Sequence, residues 1–272
     1  MPCSEADYTF LRKFVFERSQ NILDPARNDL FDARLYRLLR ERSMASLEEL
    51  VARLQRGMDP ALDQSVVEAM TINETSFFRD LSVFNLLQAK LLPQLIAARA
   101  RRRSLRLWSA ACSSGQEAYS LAMLLRQHFP DLATWDIEIL GTDIHSDMIR
   151  RARSGRYHRV EVNRGLPARF LLRFFTRHDE EWEIDPDLRA MCRFQPRNLA
   201  LAVPAYERFD LILLRNVLFY FPSLMQERLL ENLQRALSPD GVLILGATEQ
   251  TTRRDLFQSL CEANVCYYVP CR

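Results

Sequence analysis

The sequence predicts an α/β protein whose mostly parallel sheet is covered by helices on both faces. Three observations predict it. The stretch from Leu105 to Ser120 begins apolar and extended, breaks at Ser113, Ser114 and Gly115, and continues with Tyr119, Ala122, Met123 and Leu124 at helical spacing as far as His128. Buried-strand runs then recur between helical segments: Ile137 to Asp143, Phe209 to Arg215, and Gly241 to Ala247. Repeated strand–helix units of this kind build parallel sheets with both faces covered.

The 272 residues are 48% hydrophobic and 26% charged, with a net charge of +2. That composition fits one large or two smaller domains. The charge is too small to point to nucleic acid. No apolar run approaches the length of a membrane span, and Leu211 to Phe221 is interrupted by Arg215 and Asn216. The first residues lack a basic stretch followed by an apolar core, so no signal peptide is expected and the chain reads as cytoplasmic. The six cysteines contain no C-x-x-C pair and the four histidines are scattered, so no metal site is expected. Cys261, Cys266 and Cys271 are expected to be reduced thiols.

From Tyr8 to about Met70 the pattern is helical. Phe10, Phe14 and Val15 fit a first helix, and Asn28 or Asp29 is placed to cap a second that runs through Phe31, Leu35, Leu38 and Leu39. Arg37 and Arg40 fall off that apolar face, and Arg34 and Arg42 sit near its edges. These arginines are either a solvated face or a surface for an acidic partner. Ser46 and Glu49 read as a capping box, and Asp59-Pro60 opens a fourth helix. The segment from Thr71 to Asp80 is a helix boundary with Phe77 and Phe78 as core, or polar groups lining a cleft. Leu81 to Ala100 follows as an amphipathic helix with Pro93 a possible break, and Arg99, Arg101, Arg102 and Arg103 read as solvated.

The small residues after the first strand let a ligand approach the backbone, although an ordinary strand-to-helix turn has the same pattern. With one glycine in the turn, it is not a G-x-G-x-x-G fingerprint. Asp143 ends the second strand, where a carboxylate accepts hydrogen bonds from ribose hydroxyls. A helix from Asp147 to Ser154 stops at Gly155. Residues 156–195 break the alternation and read as an insertion of short strands. Pro222 starts a helix over Ser223 to Leu237, and Pro239-Asp240-Gly241 is a turn. A last helix, Arg254 to Leu260, and a last strand, Val265 to Val269, complete the pattern.

Taken together these residues resemble one family. Thr71-Ile72-Asn73-Glu74-Thr75-Ser76-Phe77-Phe78-Arg79-Asp80 is similar to the T-x-N-E-T-x-F-F-R-[ED] signature of the CheR family, the chemotaxis receptor glutamate methyltransferases. Trp108 to Ser120 resembles that family's W-S-A-x-C-S-[ST]-G-E-E-x-Y-S. Further matches follow in order at Thr142-Asp143-Ile144, Ala152 to Tyr157, Arg197-Asn198-Leu199, Phe209 to Val217, Tyr220-Phe221 and Pro239-Asp240-Gly241. Gln116, Ala118 and Leu214 depart from the family pattern, and Gln116 removes a charge beside the cofactor.

The resemblance implies a Rossmann-like class I methyltransferase sheet, a helical N-terminal domain and a small inserted antiparallel β-subdomain. The implied boundaries are 1–75 for the helical domain, 76–104 for a linker and connecting helix, and 105–272 for the S-adenosylmethionine-binding domain with its insertion at about 156–195. It implies that Asn73, Thr75 and Arg79 approach the methionine end of S-adenosylmethionine, that Glu117 lies by the loop and that Asp143 holds the ribose. Asn198, Leu199, Arg215 and Asn216 would flank the adenine and the sulfonium. Tyr220 is either near the transferring methyl or a core tyrosine. The implied reaction is methyl-ester formation on receptor glutamates, whose ionised carboxylates need positioning and desolvation rather than a base. Arg34, Arg37, Arg40 and Arg42 would steer toward the acidic helical region of chemoreceptors. The β-subdomain would offer a strand edge to a receptor C-terminal peptide, which only some members of the family bind. No nucleic-acid partner and a monomer are expected. A cofactor-binding adaptor without turnover is the alternative.

Overall fold

A computed structural model describes residues 3–201, 208–251 and 253–271. The chain divides into two compact units, Met1–Ile72 with Phe219–Gln226, and Asn73–Leu218 with Glu227–Arg272.

The first unit contains α1 (Glu5–Ser19), α2 (Asp29–Glu41), α3 (Leu47–Arg56) and α4 (Pro60–Ala69). Leu11, Phe14, Phe31, Leu35, Leu50, Leu54, Leu62 and Val66 form its core. Asp59 caps α4 by accepting the Leu62 N–H at 2.9 Å, with Pro60 in the first turn, where its missing N–H costs nothing. The expected capping box at Ser46 forms by half. Ser46 accepts the Glu49 N–H, but the Glu49 carboxylate takes the Ala45 N–H at 2.8 Å, one residue ahead of the cap. Asn28 starts α2 without a side-chain cap.

The second unit opens with one continuous helix made of α5 (Leu81–Leu86), a π-helical turn at Leu87–Leu91, and α6 (Leu92–Arg99). Pro93 therefore does not break it. The widened turn just ahead accommodates a residue that cannot donate to the helical ladder. By length and composition this helix could cross a membrane, contrary to the reading that no apolar run approaches that length. Its Val83, Phe84, Leu87, Leu91 and Leu95 are instead buried in the core of this unit.

The main sheet contains β1 (Ser104–Ala110), β2 (Asp136–Asp143), β6 (Cys192–Pro196), β7 (Phe209–Leu214), β8 (Leu237–Leu245), β9 (Phe257–Glu262) and β10 (Val265–Pro270). Their order is β6-β2-β1-β7-β8-β10-β9. The first five are parallel to one another, and β10 runs antiparallel to β8 and β9. The helices α7 (Gln116–His128), α8 (Ser146–Ser154) and α12 (Ser223–Ala236) connect strands of this sheet. A separate antiparallel sheet, ordered β3-β5-β4, comprises β3 (Arg156–His158), β4 (Phe175–His178) and β5 (Glu181–Ile184). Short helices α9 (Arg159–Val162), α10 (Ala168–Phe174) and α11 (Pro186–Ala190) lie along the same stretch.

Several sequence expectations change. Arg193 and Phe194 do not join the small sheet: β6 pairs with β2 over Ile139 to Asp143. The physical reason is Gly141. A Cβ there would lie 2.4 Å from the Phe194 ring, so the glycine makes the space that this strand fills. In place of the expected helix from Arg254 to Leu260, a turn at 254–256 leads into the strand β9, which turns through Ala263 and Asn264 into β10. Both turn residues have positive φ, as a two-residue hairpin requires. That turn sets Cys261 directly opposite Cys266, and the two form a disulfide rather than the expected free thiols. The turn at Pro239–Gly241 is a bulge within β8, because the pairing with β7 passes from Leu237 to Val242.

The arginines before β1 are not all solvated. Asp210, fully buried near the start of β7, accepts Arg99 Nε at 2.7 Å, both Arg102 and Ser238 side chains, and the Arg106 N–H at 2.9 Å. Arg99 also pairs with Asp240 and is itself buried. Removing one member of such a network leaves an uncompensated buried charge. Asp210→Ala is expected to lower stability by about 3 kcal/mol in urea unfolding. A change within experimental error would show that the network contributes nothing net.

Candidate functional site

The order of the main sheet reverses at β1, with β2 and β6 on one side and β7 and β8 on the other. In open α/β sheets this reversal opens a crevice beyond the carboxyl ends of the strands. The loop from β1 to α7 lies there, and its backbone is held by side chains. Ala111, Ser113 and Gly115 all have positive φ. The Cys112 N–H donates to the Thr142 carbonyl at 2.8 Å, which carries the loop along β2 beyond the end of β1. The Ser113 N–H donates to Asp143 Oδ2 at 2.8 Å, its hydroxyl donates to the Asn73 carbonyl at 2.8 Å, and the Tyr157 hydroxyl donates to the Ser114 carbonyl at 2.7 Å. Gly115 has no room for a side chain, since a Cβ would meet the Ala152 Cβ at 2.9 Å.

Asp143 receives a second backbone bond from the His145 N–H, at 2.9 Å on Oδ1. It is 6% exposed. Burial pushes its carboxyl above the ordinary aspartate range, and the backbone donors His145, Ser113 and Ile144 act in the opposite sense. A carboxylate has about four acceptor sites, so acceptor capacity remains beyond these backbone bonds. The Asp143 carbonyl accepts the Arg197 N–H at 2.8 Å, which brings Asn198 and the buried Leu199 to the same strand end.

The side chains of Glu117 and Arg215 are largely committed to each other. Arg215 Nη1 donates to Glu117 at 2.8 Å, while Nη2 donates to Asp80 at 2.6 Å and to the Arg79 carbonyl at 2.8 Å. Glu117 accepts the Ser109 hydroxyl with its other oxygen. The Arg215 side chain is 2% exposed, and its Nε has no hydrogen-bond partner among the described residues. Arg215 thus fastens the segment carrying Asn73, Thr75 and Arg79 to the end of β7. In that segment Phe77 and Phe78 are core, with Phe77 edge-on to Tyr157. Asn73, Thr75 and Arg79 are half-buried, and Arg79 Nη1 donates to the Glu74 carbonyl at 3.0 Å. Asn216 follows β7 with a φ of 59°.

Asn73, Thr75, Arg79, Glu117, Asp143, Asn198, Leu199, Arg215 and Asn216 all belong to the second unit; the contacts above link Asn73 to Asp143 through Ser113, and Arg79 and Glu117 to each other through Arg215. Tyr220 belongs to the first unit, where its carbonyl accepts the Ile22 N–H at 2.8 Å and its ring tilts against Phe219. The arginines of α2, with Arg42 just after it, are also in the first unit and separate into two kinds. Arg34 donates to the Met70 carbonyl at 2.9 Å, and Arg42 donates to Ser65 and pairs with Asp59, so both tie α2 to α4. Arg37 and Arg40 are exposed, Arg37 beside Glu41 and Arg40 over the Tyr36 ring. Gln116 is buried and accepts the Ser114 hydroxyl at 2.9 Å.

Sequence reasoning gave no role to Asp80 or Glu249. Asp80 was visible only as the last position of a motif. Glu249 accepts four backbone N–H groups from two loops, an arrangement with no sequence signature. Burial pushes the thiols of Cys112 and Cys192 well above their ordinary range.

A parallel sheet that reverses at β1, a side-chain-held turn after it and an acid ending β2 define a class I S-adenosylmethionine-dependent methyltransferase. Residues 73–265 match the family model described as CheR methyltransferase, SAM binding domain, and residues 6–71 match CheR methyltransferase, all-alpha domain. The chain belongs to the CheR methyltransferase family. It is 36% identical over 256 residues to a chemotaxis protein methyltransferase of Pseudomonas aeruginosa, covering 92% of each chain. It is 34% identical over 270 residues to one of Vibrio parahaemolyticus, covering 97% of each.

The donor set fits this cofactor. A buried carboxylate suits a ribose diol, and a turn of small residues, with little side chain in the way, suits close approach. Hydrogen bonds to a carboxylate favour its ionised form, so cofactor affinity should fall on acidification through the raised Asp143 pKa, at higher pH than for an ordinary aspartate. Asp143→Asn should remove that pH-dependent component and weaken binding roughly 10- to 100-fold, the worth of a charged hydrogen bond. Calorimetric titration with S-adenosylhomocysteine across pH checks both, and an unchanged affinity in the variant would contradict the assignment.

Proposed function

We propose that this protein methylates glutamate side chains of membrane-bound chemoreceptors from the cytoplasmic side, forming methyl esters that adapt the signalling state. The observation that carries this reading is the match to chemotaxis protein methyltransferases across 92–97% of the chain, so that the helical unit is shared as well as the cofactor-binding unit.

When bound, S-adenosylmethionine supplies an electrophilic methyl group on a sulfonium. The chain's own residues hold and orient it. Asp143 accepts the ribose hydroxyls. The Arg79 guanidinium offers a paired match to the cofactor carboxylate, with Asn73 and Thr75 beside it. Asn198, Leu199 and Asn216 border the adenine and the sulfonium. Glu117 and Arg215 keep the surrounding segments in place. No general base is needed, because the receptor glutamate is already ionised near neutral pH. Positioning and exclusion of water from that carboxylate supply the rate.

Of the three arginines on α2 and Arg42 just after it, Arg34 and Arg42, committed to α4, are structural, so the acidic-partner surface narrows to Arg37 and Arg40. Surface charges of this kind act mainly on encounter and on salt dependence. Arg37→Glu with Arg40→Glu should raise KM for receptor several-fold, more so at low salt, and leave cofactor affinity unchanged. An unaltered KM at low salt would remove α2 from the account. The β3-β5-β4 sheet has β3 and β4 as its outer strands, each a place where an extended receptor peptide could add.

The direct test is transfer of labelled methyl from S-adenosylmethionine to receptor-rich membranes, followed by mild base. Base-released methanol that disappears when the receptor glutamates are replaced by alanine is the expected result. Cofactor binding with no label on any receptor would instead favour an adaptor, and base-stable label a different acceptor.

A further inference from the structure

The end of β8 carries a carboxylate that the reading above does not use. Glu249 is 7% exposed. Its Oε2 accepts the N–H of Gly246 at 2.7 Å and of Asn216 at 2.8 Å. Its Oε1 accepts the N–H of Val217 at 2.8 Å and of Leu218 at 2.6 Å. A carboxylate has about four acceptor sites, and here backbone donors take them all. Three donors are consecutive, from the turn that follows β7, so this turn closes around Glu249 as an anion nest. Its first residue, Asn216, is held at a φ of 59°, a conformation that costs a non-glycine residue energy unless its surroundings enforce it. Gly246 completes the arrangement. A Cβ there would lie 2.5 Å from Glu249 Oε2 and 2.8 Å from the Asn216 nitrogen.

We propose that Glu249 is a positioning residue for the cofactor, acting through Asn216: it fixes the turn after β7 so that the Asn216 side chain is presented before the cofactor arrives. This rests on the assignment of Asn216 to the cofactor. A neutral amide in place of the carboxylate cannot replace it. Glutamine brings one acceptor oxygen and turns two N–H donors toward backbone donors, leaving buried N–H groups without partners.

The test is a double-mutant cycle on the full chain, read by calorimetric titration with S-adenosylhomocysteine, with thermal unfolding followed in parallel. Asn216→Ala and Glu249→Gln should each weaken binding by about tenfold or more. The double variant should bind no worse than the weaker single one, because both remove the same contact. If Glu249→Gln lowers the unfolding temperature while the folded protein binds as tightly as the wild type, Glu249 is structural only and the proposal fails. Losses that multiply in the double variant also overturn it. Should Asn216→Ala bind normally, the assignment of Asn216 fails instead, which separates the two claims. Where Glu249→Gln does not fold, Glu249→Asp, which keeps the charge but withdraws the carboxylate from the Asn216, Val217 and Leu218 N–H groups, takes its place in the cycle, and the same comparison decides.

Discussion

The structure of the site depends on buried carboxylates that accept backbone N–H groups at the ends of strands. Asp143 holds the turn after β1 through Ser113 and its own following turn through His145. Glu249 holds the turn after β7 through Asn216, Val217 and Leu218. These turns contain residues with positive φ that are not glycine and that donate to the carboxylates: Ser113 and Asn216. In a glycine-rich loop such conformations are intrinsic. Here external hydrogen bonds impose them, which makes the loops dependent on residues about 30 positions away in sequence. Charge-assisted bonds to backbone donors are strong enough for this task and need no charged partner.

A second kind of carboxylate contact ties segments together. Arg215 connects Glu117, Asp80 and the Arg79 carbonyl, so the end of β7, the start of α7 and the segment before α5 share one guanidinium. At the opposite end of β7, Asp210 collects Arg99, Arg102, Ser238 and the Arg106 N–H. The central strand is therefore pinned by buried ionic groups at both ends, with only apolar residues between them. The chemistry assigned to the site asks for this rigidity. A carboxylate nucleophile needs no proton removed, so the protein's contribution is placement and dryness.

Much of the fold was legible because local patterns agree with it. The strand, small-residue turn and helix from Leu105 to His128 could be read from periodicity, as could Asp143 at the end of β2 and Gly155 at the stop of α8. What could not be read depends on distant partners. Arg99 and Arg102 look like a solvated charge run until β7 brings Asp210, more than 100 residues later, beside them. Phe194 looks like part of an irregular insertion until Gly141 makes room for it at the edge of the main sheet. The hairpin at β9 and β10 reads as helix followed by strand because Ala263-Asn264 is a weak turn signal. Its alternating pattern, and the opposition of Cys261 and Cys266, become clear only in pairing. Glu249 is the extreme case: a lone acid after a strand, with a role set entirely by amides of another loop.

If the carboxylates preform these loops, the protein meets its cofactor with the turns already set. Amide hydrogen exchange on the free protein tests this most directly. The amides of Ser113, Asn216, Val217 and Leu218 should be protected before any cofactor is added and should change little when S-adenosylhomocysteine is supplied. Fast exchange at these amides in the free protein, with protection appearing only on binding, would contradict the account and make the cofactor, not Asp143 and Glu249, the element that shapes the site.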